Sequence, residues 1–199
     1  ETSLTLEPNS VYLVDSGGQY LDGTTDITRT VWVGPDAPFA EVKDRFTRVL
    51  KGHIALALAV FPKGTAGSQL DVLARHALWQ VGLDYAHGTW IGPTPDSIDA
   101  LGDKMTARRI AQKVGAPLAA GTDQPLLPGM FLSNEPGYYK TGEYGIRIEN
   151  LILVEKREIA GSDGEYYGFE TLTHVPIERR LVDTSLLSPA EVAWWNDYH

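Results

Sequence analysis

Apolar residues along the chain follow two periods. Residues 11–14 form a short apolar run bounded by Asn9-Ser10 and Ser16-Gly17-Gly18, which predicts a buried strand. Residues 27–33 are β-branched and predict a second strand. The Gly-rich stretch between them predicts a long hairpin. Val42, Phe46, Val49, Leu50, Ile54 and Ala57 then recur at helical spacing, so residues 40–59 read as an amphipathic helix. A second helix is expected over 68–81, with Ser68 and Asp71 as a capping box and Gly82 as its stop. Thr94-Pro95 starts a short helix, and Asp103 can cap another that Gly115 closes. Residues 129–135 and 145–154 read as strands joined by Pro136-Gly137 and a polar loop, and 166–176 as a further strand. Ser188-Pro189-Ala190-Glu191 opens a terminal helix carrying Trp194 and Trp195. Strands and helices are mixed rather than alternating, which predicts an α+β class.

Composition narrows the function. The chain has 199 residues, with 43% hydrophobic and 22% charged positions, which fits a soluble globular domain of ordinary make-up. No apolar run is long enough to cross a membrane. Seventeen basic against 26 acidic residues give a formal charge of -9, the wrong balance for a nucleic-acid binder. There is no cysteine, so any metal must be held by oxygen and imidazole nitrogen. No signal sequence opens the chain, so a cytoplasmic location is expected. The absent initiator Met predicts a processed or excised fragment.

Two carboxylate pairs carry the candidate chemistry. Asp15 closes the first predicted strand and Asp26 opens the second, so a hairpin brings them together. Either they bond turn backbone, as Asp commonly does, or they share a cation that relieves their repulsion. Glu135 ends an apolar strand. Glu149 shares a strand face with Arg147, while Ile146 and Ile148 take the other face. An inward Glu needs a partner: Arg147 is the plain candidate, a metal the sharper one. Converging strand pairs of this kind could build a two-metal centre around a bridging water.

These residues resemble a known family. The run Asp15-Ser16-Gly17-Gly18-Gln19-Tyr20 through Asp26-Ile27-Thr28-Arg29-Thr30 resembles the first metal motif of the creatinase/aminopeptidase P family, which has the pita-bread fold. Asn134-Glu135-Pro136-Gly137-Tyr138-Tyr139 and Gly145-Ile146-Arg147-Ile148-Glu149-Asn150 resemble its other carboxylate motifs. Phe169-Glu170-Thr171-Leu172-Thr173, followed by Pro176-Ile177, resembles its last strand, and Trp194-Trp195-Asn196-Asp197-Tyr198-His199 its terminal helix. The likeness covers roughly residues 8–89 and 126–199. It implies Asp15, Asp26, Glu135 and Glu149 as metal ligands, with Asp26 and Glu149 bridging two ions. It further implies Tyr139, Arg147 and His87 beside the substrate, Glu135 as proton shuttle, and Mn²⁺, Co²⁺ or Zn²⁺ as the ion. The implied substrate is a peptide whose N-terminal residue precedes proline.

The resemblance is broken at one ligand. His87 matches a substrate-side histidine, but Ile91 stands where the family has its metal-binding histidine. His53 and His76 lie in predicted helices and read as packing or solvent-facing residues. Residues 90–125 resemble instead the entry to the ATP-binding domain of biotin carboxylase, with Lys104 at a nucleotide-contacting position and Arg108 and Arg109 on a solvated face. The expectation is therefore a single truncated catalytic-type domain, a chimera or pseudoenzyme with four carboxylate ligands and impaired or absent turnover. The alternative is an active Xaa-Pro metallo-aminopeptidase. An ATP-binding carboxylase fragment is a third reading, disfavoured because the Gly-rich lid and acidic ligands are missing. Truncation predicts self-association through exposed sheet edges.

Overall fold

The computed structural model describes residues 5–83 and 124–199. It begins with a hairpin, β1 (Ser10–Tyr20) and β2 (Gly23–Val33), paired antiparallel over its whole length. Helix α1 (Ala40–Ala57) follows, then the short strand β3 (Val60–Pro62) and helix α2 (Gly67–Trp79). After the undescribed stretch come β4 (Phe131–Asn134), β5 (Gly137–Lys140), β6 (Tyr144–Arg147), β7 (Asn150–Arg157) and β8 (Tyr166–Thr171). Two 3₁₀ turns lead to the terminal helix α3 (Pro189–Tyr198). A four-stranded antiparallel sheet has the order β3-β8-β7-β4, and β5 and β6 form a separate hairpin.

Two apolar clusters hold these pieces. Phe46, Val49, Leu50 and Ile54 of α1 meet Trp32, Ile146, Ile148, Ile177 and Trp195. Phe61, Met130, Ile152, Val154 and Phe169 form the second cluster, on the four-stranded sheet. Phe46 and Leu50 are fully buried, and each such side chain contributes about 1.5–3 kcal/mol. Helix α1 also packs tightly on α2. A Cβ on Gly52 would stand 2.3 Å from the Ala74 carbonyl oxygen, so only glycine permits this approach.

Three expectations shift. The cap of α2 lies earlier than the Ser68–Asp71 pair: Ala66 is the N-cap, and its N–H donates to Gln69 Oε1 (2.8 Å). The strand expected over 145–154 is two strands, because the chain leaves partner β5 for partner β4 at Ile148 and Glu149. There the Ile148 N–H donates to Pro136 O (3.2 Å) and the Glu149 N–H to Thr28 O (3.1 Å). The strand expected over 166–176 ends at Thr171, after which Thr173 Oγ1 accepts the Leu151 N–H in place of a ladder bond (2.9 Å). The helices expected from Thr94 and Asp103 lie outside the described residues. The terminal helix is as expected, with the Ser188 and Glu191 capping box and Pro189 in its first turn.

Candidate metal centre

The β1–β2 register pairs Asp15 with Thr28 and Gly17 with Asp26. Asp15, Asp26 and Thr28 therefore share one face of the hairpin. Neither aspartate is a turn residue, since the strands continue past both to Tyr20 and Gly23. Glu149 reaches the same face from the β6–β7 switch. Carboxylate oxygens of Asp15, Asp26 and Glu149 lie within 4.8 Å of one another, the one such cluster among the described residues. Exposure falls from Asp15 through Asp26 to fully buried Glu149, so the cluster has an open and a closed side.

Glu135 stands at the edge. It accepts from Ser133 Oγ (2.6 Å) and lies 3.9 Å from Arg147 Nε. Arg147 meets the other acids too: Nη2 pairs with Asp15, and Nε is 3.6 Å from Glu149 Oε2. Arg147, the plain candidate partner of Glu149, thus lies within ion-pair distance of it. The Arg147 side chain is 17% exposed. Burial pulls its pKa down, but Tyr139, Glu149 and Asp15 lift it above the ordinary arginine value. Its backbone is clamped by Thr30 Oγ1, which accepts the N–H (2.9 Å) and donates to the carbonyl (3.1 Å). Tyr139 hydroxyl accepts from Arg147 Nη1 (3.2 Å). The Tyr139 ring lies so close over Gly145 that a Cβ there would stand 2.9 Å from it.

Thr28, missed in the sequence, is central. It is buried, donates to Glu149 Oε2 (2.5 Å) and accepts from Arg147 Nε (3.0 Å) and Nη2 (2.8 Å). Strand alternation from Asp26 was the available signal. The other Glu149 oxygen, Oε1, is buried with no hydrogen-bond partner among the described residues. Burial, then the Glu135 and Asp26 charges, push the Glu149 carboxyl up to about 7, against the Thr28 bond and Arg147. An orphaned carboxylate oxygen amid oxygen donors suits a hard divalent cation. No histidine joins the cluster among the described residues. His53 is buried in α1 behind the site, and His76 is exposed on α2, as expected. His87, Ile91, Lys104, Arg108 and Arg109 lie outside the described residues.

Residues 1–156 match metallopeptidase family M24, and residues 165–199 match the C-terminal region of that family. The chain belongs to metallopeptidase family M24. The bounds of the M24 match enclose residues 90–125, and neither a carboxylase origin for them nor a chimera receives support. Among curated relatives, the probable Xaa-Pro aminopeptidase P of Tuber melanosporum is 47% identical over 196 residues, covering 98% of this chain and 30% of its own length. Aminopeptidase P2 of Arabidopsis thaliana is 48% identical over 201 residues, covering all of this chain and 27% of its own length. The chain thus spans under a third of these relatives. The solved X-prolyl aminopeptidase of Caenorhabditis elegans, described as a cytosolic enzyme with a di-nuclear active site, superposes with a TM-score of 0.75 at 39% identity. It covers 96% of this chain, which covers 29% of it. The expected pita-bread fold with antiparallel sheets is the fold of this M24 chain, and divalent-metal use comes with the family.

Proposed function

We propose that this M24 chain carries the catalytic metal centre of an Xaa-Pro aminopeptidase, which removes an N-terminal residue preceding proline. The observation that carries this reading is the convergence of Asp15, Asp26 and Glu149 oxygens within 4.8 Å. Curated relatives near 47% identity bear the aminopeptidase P name. Asp15, Asp26 and Glu149 would hold the ion, with Glu135 completing the set from the edge. The oxygen-rich donors favour Mn²⁺ over softer ions. A bound divalent cation supplies carbonyl polarisation and lowers the pKa of water.

The chain's own residues set the rest. Thr28 holds one Glu149 oxygen, leaving Oε1 without a hydrogen-bond partner among the described residues. Arg147 offsets part of the carboxylate charge and is held by Tyr139. Glu135, on the rim, takes a proton from water and passes it to the departing amine. The exposed Asp15 side is the peptide's entry. Cytoplasmic placement is proposed with the activity, after the worm relative's description.

The test is release of the N-terminal residue from an Xaa-Pro peptide. Turnover should require Mn²⁺, stop with chelator, and vanish in Asp26→Asn. Absence of Mn²⁺-dependent release from the unaltered chain overturns the proposal. Ile91 at the matched histidine position favours the second reading, an impaired centre, which predicts metal binding without turnover.

A further inference from the structure

Arg29 lies on β2, three residues past Asp26 and on the opposite face of the strand. It is 6% exposed, and all of its N–H groups are used. Nη1 donates to Thr28 O (2.9 Å) and Glu149 O (2.7 Å). Nη2 donates to Asn150 Oδ1 (2.8 Å), Val175 O (2.6 Å) and the Tyr198 hydroxyl (3.0 Å), and Nε to Pro176 O (3.2 Å). Every one of these partners is neutral. A buried cation touching no carboxylate is costly, and burial indeed lowers the Arg29 pKa.

The bonds have a pattern. Nη1 bridges two carbonyls, one from the strand bearing Asp26 and Thr28, the other from Glu149 itself. Glu149 sits at the β6–β7 switch, outside both strands. Its N–H goes to Thr28 O and its carbonyl to Arg29, so β2 holds both backbone polar groups of this residue. Nη2 extends the hold outward. Asn150 Oδ1 is taken by Arg29, and Asn150 Nδ2 pairs with His53 Nε2 (3.1 Å). Tyr198 donates onward to the Thr173 and Val175 carbonyls (3.0 Å each), and so brings α3 into the same network.

We propose that Arg29 is a positioning residue for the metal centre: its guanidinium fixes the Glu149 backbone against β2 and ties that ligand to the C-terminal segment through Val175, Pro176 and Tyr198. This rests on the metal-centre reading. Partners that orient metal ligands from behind typically govern ten- to a hundredfold in affinity.

The experiment uses the full chain and two readouts. Free Mn²⁺ is followed by electron paramagnetic resonance during titration of the unaltered chain, Arg29→Lys, Arg29→Met and Tyr198→Phe. Amide hydrogen exchange is followed in the metal-free chain. Arg29→Met should raise the Mn²⁺ Kd about tenfold or more. Arg29→Lys, with charge but no fork, should recover part of the loss. Tyr198→Phe keeps the stack on Trp194, stays folded, and should weaken binding less than Arg29→Met. In both Arg29→Met and Tyr198→Phe, exchange should quicken at the Glu149 and Leu151 amides and not at Val154, whose N–H pairs with Met130 in the core. Kd values within twofold across the series, or exchange quickened equally at all three amides, overturn the proposal and leave Arg29 a general structural residue. Absence of Mn²⁺ binding by the unaltered chain overturns the metal-centre reading instead, and the exchange pattern then decides whether Arg29 positions Glu149.

Discussion

Glu149 is the residue on which the opposing forces meet. One oxygen is held by Thr28 and approached by Arg147, and the other is buried without a partner among the described residues. Its folded pKa of about 7 exceeds the ordinary value of 4.5. The folded chain therefore holds a proton that the unfolded chain has lost between those values, and stability falls as pH rises through that window. His53 has the opposite sign. Burial lowers its pKa from 6.5 to about 3, so stability rises with pH across that range. The two slopes oppose one another between about pH 4.5 and 6.5. Comparison with Glu149→Gln isolates the carboxylate. In metal-free urea unfolding, this variant should gain on the unaltered chain as pH rises from 5 to 8, by up to about 3 kcal/mol. A difference that stays flat with pH would contradict the assigned crowding. Thr28→Val removes the hydroxyl from both Glu149 and Arg147. It should cost about 1–3 kcal/mol of stability and weaken Mn²⁺ binding, both measurable on one preparation.

The elements explain why part of this was legible in the sequence. The apolar periods of α1, the Ser188 cap of α3 and the hairpin that carries Asp15 and Asp26 are local patterns, and the structure follows them. What periodicity does not encode is a change of partner. The run from Gly145 to Val154 reads as one strand, yet it breaks where Glu149 gives its N–H to β2. That break frees the Glu149 carboxylate to join Asp15 and Asp26. Thr28 and Arg29 escaped for a similar reason, since their roles depend on residues about 120 positions away. Gly52 shows a contact invisible to pattern: its missing side chain matters only because Ala74 lies against it. Gly52→Ala should destabilise the chain by about 1–3 kcal/mol through overpacking of α1 on α2. A Tm equal to that of the unaltered chain would contradict this packing.

At the scale of the whole molecule, carboxylates converge where the β1–β2 hairpin meets the β6–β7 switch, beside the apolar core that holds Ile146 and Ile148. Such a centre is unfavourable to fold without a cation, and a ligand that binds only the folded state stabilises it by mass action. Mn²⁺ at a hundred times its Kd should add about 2.7 kcal/mol to unfolding stability, and chelator should remove that gain. The -9 net charge does not by itself produce this effect, because screened surface acids bind cations weakly. The most direct measurement of the central claim is therefore a calorimetric Mn²⁺ titration of the unaltered chain beside Asp26→Asn at physiological salt. Saturable binding in the unaltered chain that disappears in Asp26→Asn is the predicted result. No saturable binding, or identical binding by both chains, would contradict the metal centre.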